Sequence, residues 1–288
     1  STGNPVTDYA TFFAQLKDYG SKLSDGGVSY EFKVPTSYYK LNTTLASFGI
    51  GSNGDFYNEN KTTEQMQFVE TALKLFNNSD FAEADYFVFV APPKTSSTIF
   101  YRFSNTFDGK VLGKSEIKAF SISATDSAWG SAHHDIFHLG LAIPDHYGDE
   151  KFNGKDSDQT IGDSGEILGT DRWGNMSGGN MDWLAWDKWL GGFLTDEQVM
   201  CVTTQTNSTL LLRPSAQPNV KNKLIIIPLS QTSAIAIESM RSIGFNYRMP
   251  EEIMGVLIYK LDTTSTLFGG GVNVIRPLLR KNNSHAPA

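Results

Sequence analysis

The chain has one cysteine, Cys201, in 288 residues, so no internal disulfide can form and a disulfide-stapled scaffold is excluded. It lacks an excess of basic charge: 24 Lys and Arg stand against 31 Asp and Glu, giving a net charge of -7. That balance, with a pI near 5.2, argues against nucleic acid and anionic membrane surfaces as partners. No run approaches the roughly 18 unbroken apolar residues that a membrane span requires. There is no internal repeat, no low-complexity tract, and no secretory leader at Ser1, as expected of a processed or excerpted chain.

What is present is enough apolar material for a sizeable core. Hydrophobic residues make up 40% and charged ones 19%, which excludes a disordered chain. The length suits one large domain, or a catalytic domain with a smaller appendage. Asn, Ser, Thr and Gly are abundant, and Asn42, Asn60, Asn175 and Asn207 each begin a glycosylation-type triplet. Such triplets arise by chance in chains of this composition, so they lend only slight support to an extracellular or cell-surface location.

The hydrophobic spacing predicts a helix capped by Thr7, carrying Phe12, Phe13, Leu16 and Tyr19 and ending near Gly20. Residues 28–34 alternate as a half-buried strand does, stopping at Pro35. Residues 41–60 read as a loop. Thr62 and Gln65 form a capping box before a helix with Met66, Val69, Leu73 and Phe76. The apolar run 86–91 suits a strand buried on both faces, and 95–127 read as short strands and turns. A helix is expected over about 128–139 and another, aromatic-rich, over 181–193, followed by a capping box at Thr195 and Gln198. Strands are then expected at 209–212, 224–227, 233–238 and 255–259. The pattern is α+β over residues 1–200 with a β-rich part over 201–288.

Four of the five histidines, His133, His134, His138 and His146, fall between residues 133 and 146. His134 and His138 are four apart, so on a helix both imidazoles face one way and can share a zinc ion. Asp135 follows the first histidine, where H-E-x-x-H metallopeptidases keep a glutamate general base. Gly140 can turn the chain, and Asp145 can then supply an oxygen as third ligand, leaving a fourth position to water. The plainer alternative is ordinary histidines near a helix end.

The run from Trp129 to Tyr147 resembles the H-E-x-x-H-x-L-G-L-P-D-x-Y signature of the immune inhibitor A-like zinc metallopeptidases. Downstream, the segments 173–179, 184–189 and 190–194 look like the family's Met-Ser-Gly turn and following helix. The segments 224–230, 237–241 and 255–262 are similar to its later strands, and 81–93 to an earlier one. The resemblance implies a zincin- or metzincin-like domain and an extracellular endopeptidase acting on a protein or peptide. His134, His138 and Asp145 would hold the metal, Asp135 would activate water, and Met176 would form the supporting turn. The chain departs from the signature in having Asp135 for the glutamate, which withdraws the carboxylate by ~1.5 Å. With His134 and His138 as ligands, Gly140 stands one residue early and Asp145 one late. With His133 setting the register instead, His134 takes the glutamate position and Phe137 that of the second histidine, and no zinc site remains. The first register keeps two ligands on one face. These departures leave a second reading: an inactive metallopeptidase-like module, structural or adhesive, whose partners are neighbouring subunits of a layer or filament.

Other residues admit two readings each. His146 and Tyr147 could contact a substrate carbonyl, against the favoured role in a loop surface. Asp149, Asp156, Asp158, Asp163 and Glu166 could bind calcium, against the favoured reading as a solvated insertion. Trp183, Trp186 and Trp189 read as core packing of a helix, Cys201 as a buried small apolar residue, and Gly269 to Gly271 as a turn.

Overall fold

The structure, a computed structural model, describes residues 3–48, positions within 67–75, residue 84, strands between 87 and 124, and most of 182–275. The chain divides into two compact units, residues 1–16 with 31–142 and residues 17–30 with 143–288.

In the first unit, Asn4 rather than Thr7 starts the helical region. Its side chain accepts from the Val6 N–H at 3.0 Å, and Pro5 occupies the first helical position of α1 (Pro5–Asp8). Proline has no N–H to leave unsatisfied there, which is why the start lies before Thr7. A break at Tyr9 separates α1 from α2 (Ala10–Leu23). Phe12 and Phe13 stack edge to face 5.5 Å apart, and Phe13 lies 4.6 Å from Phe32. Residues 28–34 do alternate between half-buried and exposed, but carry no β pairing among the described residues. Their alternation thus reflects one covered side, not a ladder. Residues 67, 68 and 70–72 are helical, and Phe68 meets Phe48 edge to face.

The strands of this unit are β1 (Phe87–Ala91), β2 (Ile99–Tyr101), β3 (Thr106–Phe107), β4 (Lys110–Val111) and β5 (Phe120–Ala124). β1 runs parallel to β5, Phe87 opposite Phe120, while β2 lies antiparallel on the other side of β5. β3 and β4 pair as a separate two-stranded ribbon.

The second unit centres on a five-stranded sheet ordered β10-β9-β8-β7-β6. Its strands are β6 (Val199–Cys201), β7 (Leu224–Pro228), β8 (Ser233–Met240), β9 (Gly255–Asp262) and β10 (Val272–Val274). All neighbours are antiparallel except β6 with β7. Strand alternation puts Leu224, Ile226, Ala236, Met240, Leu257, Tyr259, Leu261 and Val272 in one buried cluster. Leu184, Ala185 and Leu194 from the segment around α3 (Ala185–Leu190) cap this cluster, with Trp186 and Trp189 packed against it. Trp183 is buried with Tyr19 and Phe193, its ring 4.9 Å from Phe193, and the half-buried Phe245 packs against Tyr19. The three tryptophans thus belong to core packing.

Several expectations are corrected. The aromatic helix is six residues, not thirteen, because Leu184 is extended and Gly192, at φ 75°, turns the chain after Gly191. The Thr195–Gln198 capping box forms, but it heads a 3-10 turn, Asp196–Gln198. Residues 209–212 form no strand, and Leu211 is 60% exposed. Cys201 is exposed rather than buried. It ends a three-residue strand, where the cover supplied to the middle of the sheet has run out. The predicted helices from Thr62 and over 128–139, and the strand burial at 86–91, involve side chains or residues outside those described. No helix among the described residues is long and apolar enough to cross a membrane.

α2 continues past Gly20 to Leu23, and at Gly20 the absence of a Cβ lets Tyr30 approach the helix closely. A Cβ there would stand 2.5 Å from Tyr30 Cε2. Gly20→Ala is therefore expected to destabilise by about 1–3 kcal/mol in urea unfolding despite alanine's better helix propensity. In a Tyr30→Ala background the same change should stabilise by about 0.5–1 kcal/mol. Cys201 should react with a maleimide in the folded protein at a rate close to that in denaturant; a large protection factor would contradict its exposure.

Candidate functional site

The residues singled out by the histidine pattern, His134, Asp135, His138, Asp145, His146, Tyr147 and Met176, lie outside the described residues. So do Gly140 and the acidic positions Asp149, Asp156, Asp158, Asp163 and Glu166. In sequence, the described chain stops at Ala124, the end of β5, and resumes at Asp182. Among the described residues no group of three or more His, Cys, Asp or Glu is placed to hold a metal.

Where the chain resumes, it is fixed by charge. Asp182 and Lys188 are both buried, 2% and 1% exposed. The Lys188 ammonium donates to both Asp182 oxygens at 2.8 and 3.0 Å, and to the Ser215 carbonyl at 3.2 Å. The Asp182 carboxylate also accepts the Trp183 N–H at 3.0 Å, while the Asp182 N–H donates to Asn246 Oδ1 at 2.9 Å. Every donor of the ammonium therefore has a partner, which is the condition under which a buried pair is tolerated. A second buried cation, Lys223, donates to Asp25 at 2.7 Å, and Gln198 donates to the same carboxylate oxygen at 2.8 Å. Burial lowers the Lys223 pKa, and the hydrogen bond to Asp25 opposes that shift.

A further buried carboxyl, Glu238, sits in the inner row of β8. Its ladder partners are Leu224 on β7 and Leu257 on β9, and all three are fully buried. The Ala185 N–H donates to Oε1 and Oε2 at 3.1 Å each, and the Tyr259 hydroxyl donates to Oε1 at 2.8 Å. Leu184 offers α3 no side-chain cap, and the first free amide of the helix ends on the Glu238 carboxyl instead. Burial dominates the carboxyl and pushes its pKa up to about 8, against the pull of Tyr259 and Ala185.

Sequence reasoning missed this cluster, although a signal existed. Glu238 shares the parity of Ala234, Ala236 and Met240 along β8, so an inward strand pattern already placed a carboxylate in the core row. With no exposed atom, it can fasten elements and hold a proton but cannot meet a dissolved substrate.

Lys188→Met leaves the Asp182 carboxylate buried without its cation and should cost about 3–5 kcal/mol in urea unfolding. Lys221→Met, which removes an exposed pair with Glu197, should cost no more than about 1 kcal/mol. Equal losses in the two variants would show that the buried pair does not anchor this segment.

Compared with protein-family models, curated proteins and solved structures, the chain finds no match.

Proposed function

We propose that the chain is an extracellular zinc-dependent endopeptidase of the immune inhibitor A type. The observation that carries this reading is the spacing of His134 and His138, with Asp135 between them and Gly140 and Asp145 following. Two imidazoles and one carboxylate form a donor set suited to zinc with one position open. When bound, zinc polarises a carbonyl and acidifies its water. His134, His138 and Asp145 hold the ion, Asp135 takes a proton from the attacking water, and Met176 supports the site from a turn. Asp135 is shorter than glutamate by one bond, so activity is expected to be weak: a displacement of about 1 Å costs on the order of a hundredfold.

Asp135 in place of glutamate, together with the one-residue offsets of Gly140 and Asp145, favours a second reading. In it the fold is kept without activity, as a structural or adhesive cell-surface module whose partners are neighbouring subunits.

Metal content of the native protein, without added zinc, separates the two. The peptidase reading expects about one zinc per chain, absent in His138→Ala. Asp135→Asn should retain the zinc and lose casein or peptide cleavage by about a hundredfold or more. No bound zinc, in a protein that stays folded in chelator, would sink the peptidase and leave the structural module.

A further inference from the structure

We propose that Asn42 is a glycosylation site, whose side-chain amide carries an N-linked sugar chain in the exported protein. The triplet Asn42-Thr43-Thr44 has an acceptor asparagine, a middle residue other than proline, and a hydroxyl two residues on. Such triplets are common by chance, and what sets this one apart is its surroundings. Of the four named above, it is the one described at every position.

Residues 36–44 form neither helix nor strand, and all of them except Leu41 are exposed. The chain bends at Asn42 and Thr43, and the 3-10 turn Leu45–Phe48 follows at once. Thr43 Oγ1 pairs with Ser47 Oγ at 2.9 Å. The Thr44 carbonyl accepts from the Ser47 N–H at 3.1 Å and from the Ser47 hydroxyl at 2.6 Å. The bend is thus held by Ser47, the Thr43 hydroxyl and the Thr44 backbone. The two groups that the triplet offers to a glycosyl transferase are left over: among the described residues no hydrogen bond engages the Asn42 amide or the Thr44 hydroxyl. Asn4 and Asn246 are the contrast, since the first caps α1 and the second, buried, accepts the Asp182 N–H.

That freedom matters to the chemistry. An amide nitrogen is a poor nucleophile because its lone pair is delocalised into the carbonyl, the resonance that also flattens a peptide bond. The amide has to twist to release the pair, and a side chain held by the fold would first lose its hydrogen bonds, at about 1 kcal/mol each. Asn42 has none to lose among the described residues. In the transfer, Asn42 Nδ2 attacks the anomeric carbon of a sugar activated as a polyprenyl diphosphate. The N–C bond forms as the C–O bond to the diphosphate breaks. The diphosphate leaves with that electron pair, one amide proton passes to a base of the transferase, and nothing is oxidised or reduced. A sugar chain on an exposed bend displaces nothing from the core. Glycosylation here requires the extracellular location of the proposed function and does not depend on zinc.

Peptide mapping by mass spectrometry tests the site, on the full chain recovered from the cells that make it and from their medium. Cleavage after Lys40 and Lys61 gives one peptide bearing both Asn42 and Asn60, so electron-transfer fragmentation is used to place the sugar. The exported chain should carry a sugar increment on Asn42 in most copies. Asn42→Gln and Thr44→Ala should each abolish it, whereas Thr43→Ala should keep it. A bare Asn42 in the exported chain, a sugar placed on a threonine hydroxyl or on Asn60 alone, or an increment that survives Thr44→Ala would each overturn the site while leaving the extracellular reading in place. A chain found only inside the cell, with Asn42 bare, would overturn both.

Discussion

The second unit is organised around one constraint: a carboxyl group in the inner row of a β-sheet has to be given hydrogen-bond partners. Glu238 interrupts a run of Leu, Ile, Ala, Met and Tyr side chains that otherwise close over one another. An unsatisfied buried carboxylate would cost several kcal/mol, more than any single aliphatic contact in that row returns. The donors come from Tyr259, one strand over, and from the backbone of α3. That requirement fixes where α3 begins and how it approaches the sheet. The helix end and the carboxylate solve each other's problem, since uncapped amides and a buried acceptor are each costly alone.

The same logic explains the neighbouring ion pair. Residues 182–188 bury three charged side chains within seven residues, those of Asp182, Asp187 and Lys188. Asp182 and Lys188 neutralise one another, and Ser215 and Asn246 complete the set. Such polar anchoring fixes orientation more than it adds stability, because its Coulombic gain is offset by desolvation. The apolar faces supply the stability. Trp183, Phe193, Tyr19 and Phe245 form an aromatic group beside the polar anchor, where edge-to-face packing permits large rings without voids.

How much of this was readable in the sequence follows from the range of each interaction. The ladder strands at 224–228, 233–240 and 255–262 were predicted close to their limits, since alternation and β-branched content are local signals. The start at Asn4 and the length of α3 were misjudged. In both, a local competitor decided the matter: Pro5 in one case, the extended Leu184 and the Gly191–Gly192 turn in the other. β6 and β10 are three residues each and owe their existence to partners, so no periodicity announces them. Residues 209–212 carry the composition of a strand without a partner among the described residues, and Leu210 and Leu211 are exposed. The candidate zinc residues are known by their spacing alone, and the partners of Glu238 come from a segment some fifty residues away in sequence, which no local pattern announces.

A strongly displaced pKa in a carboxyl is often a mark of a catalytic acid or base. Glu238 has that mark, yet it is fully buried, and its donors are a helix amide and a core tyrosine. A general base has to reach a water molecule and exchange its proton with solvent. Glu238 can do neither from inside the core, so its role is in holding elements together. Under the proposed peptidase reading Asp135 is the opposite case: it would stand where a base is required, between two histidines in the sequence, with a side chain one methylene shorter than usual. A test of that reading therefore belongs at the histidine segment, whatever the displacement of the buried carboxyl in the sheet.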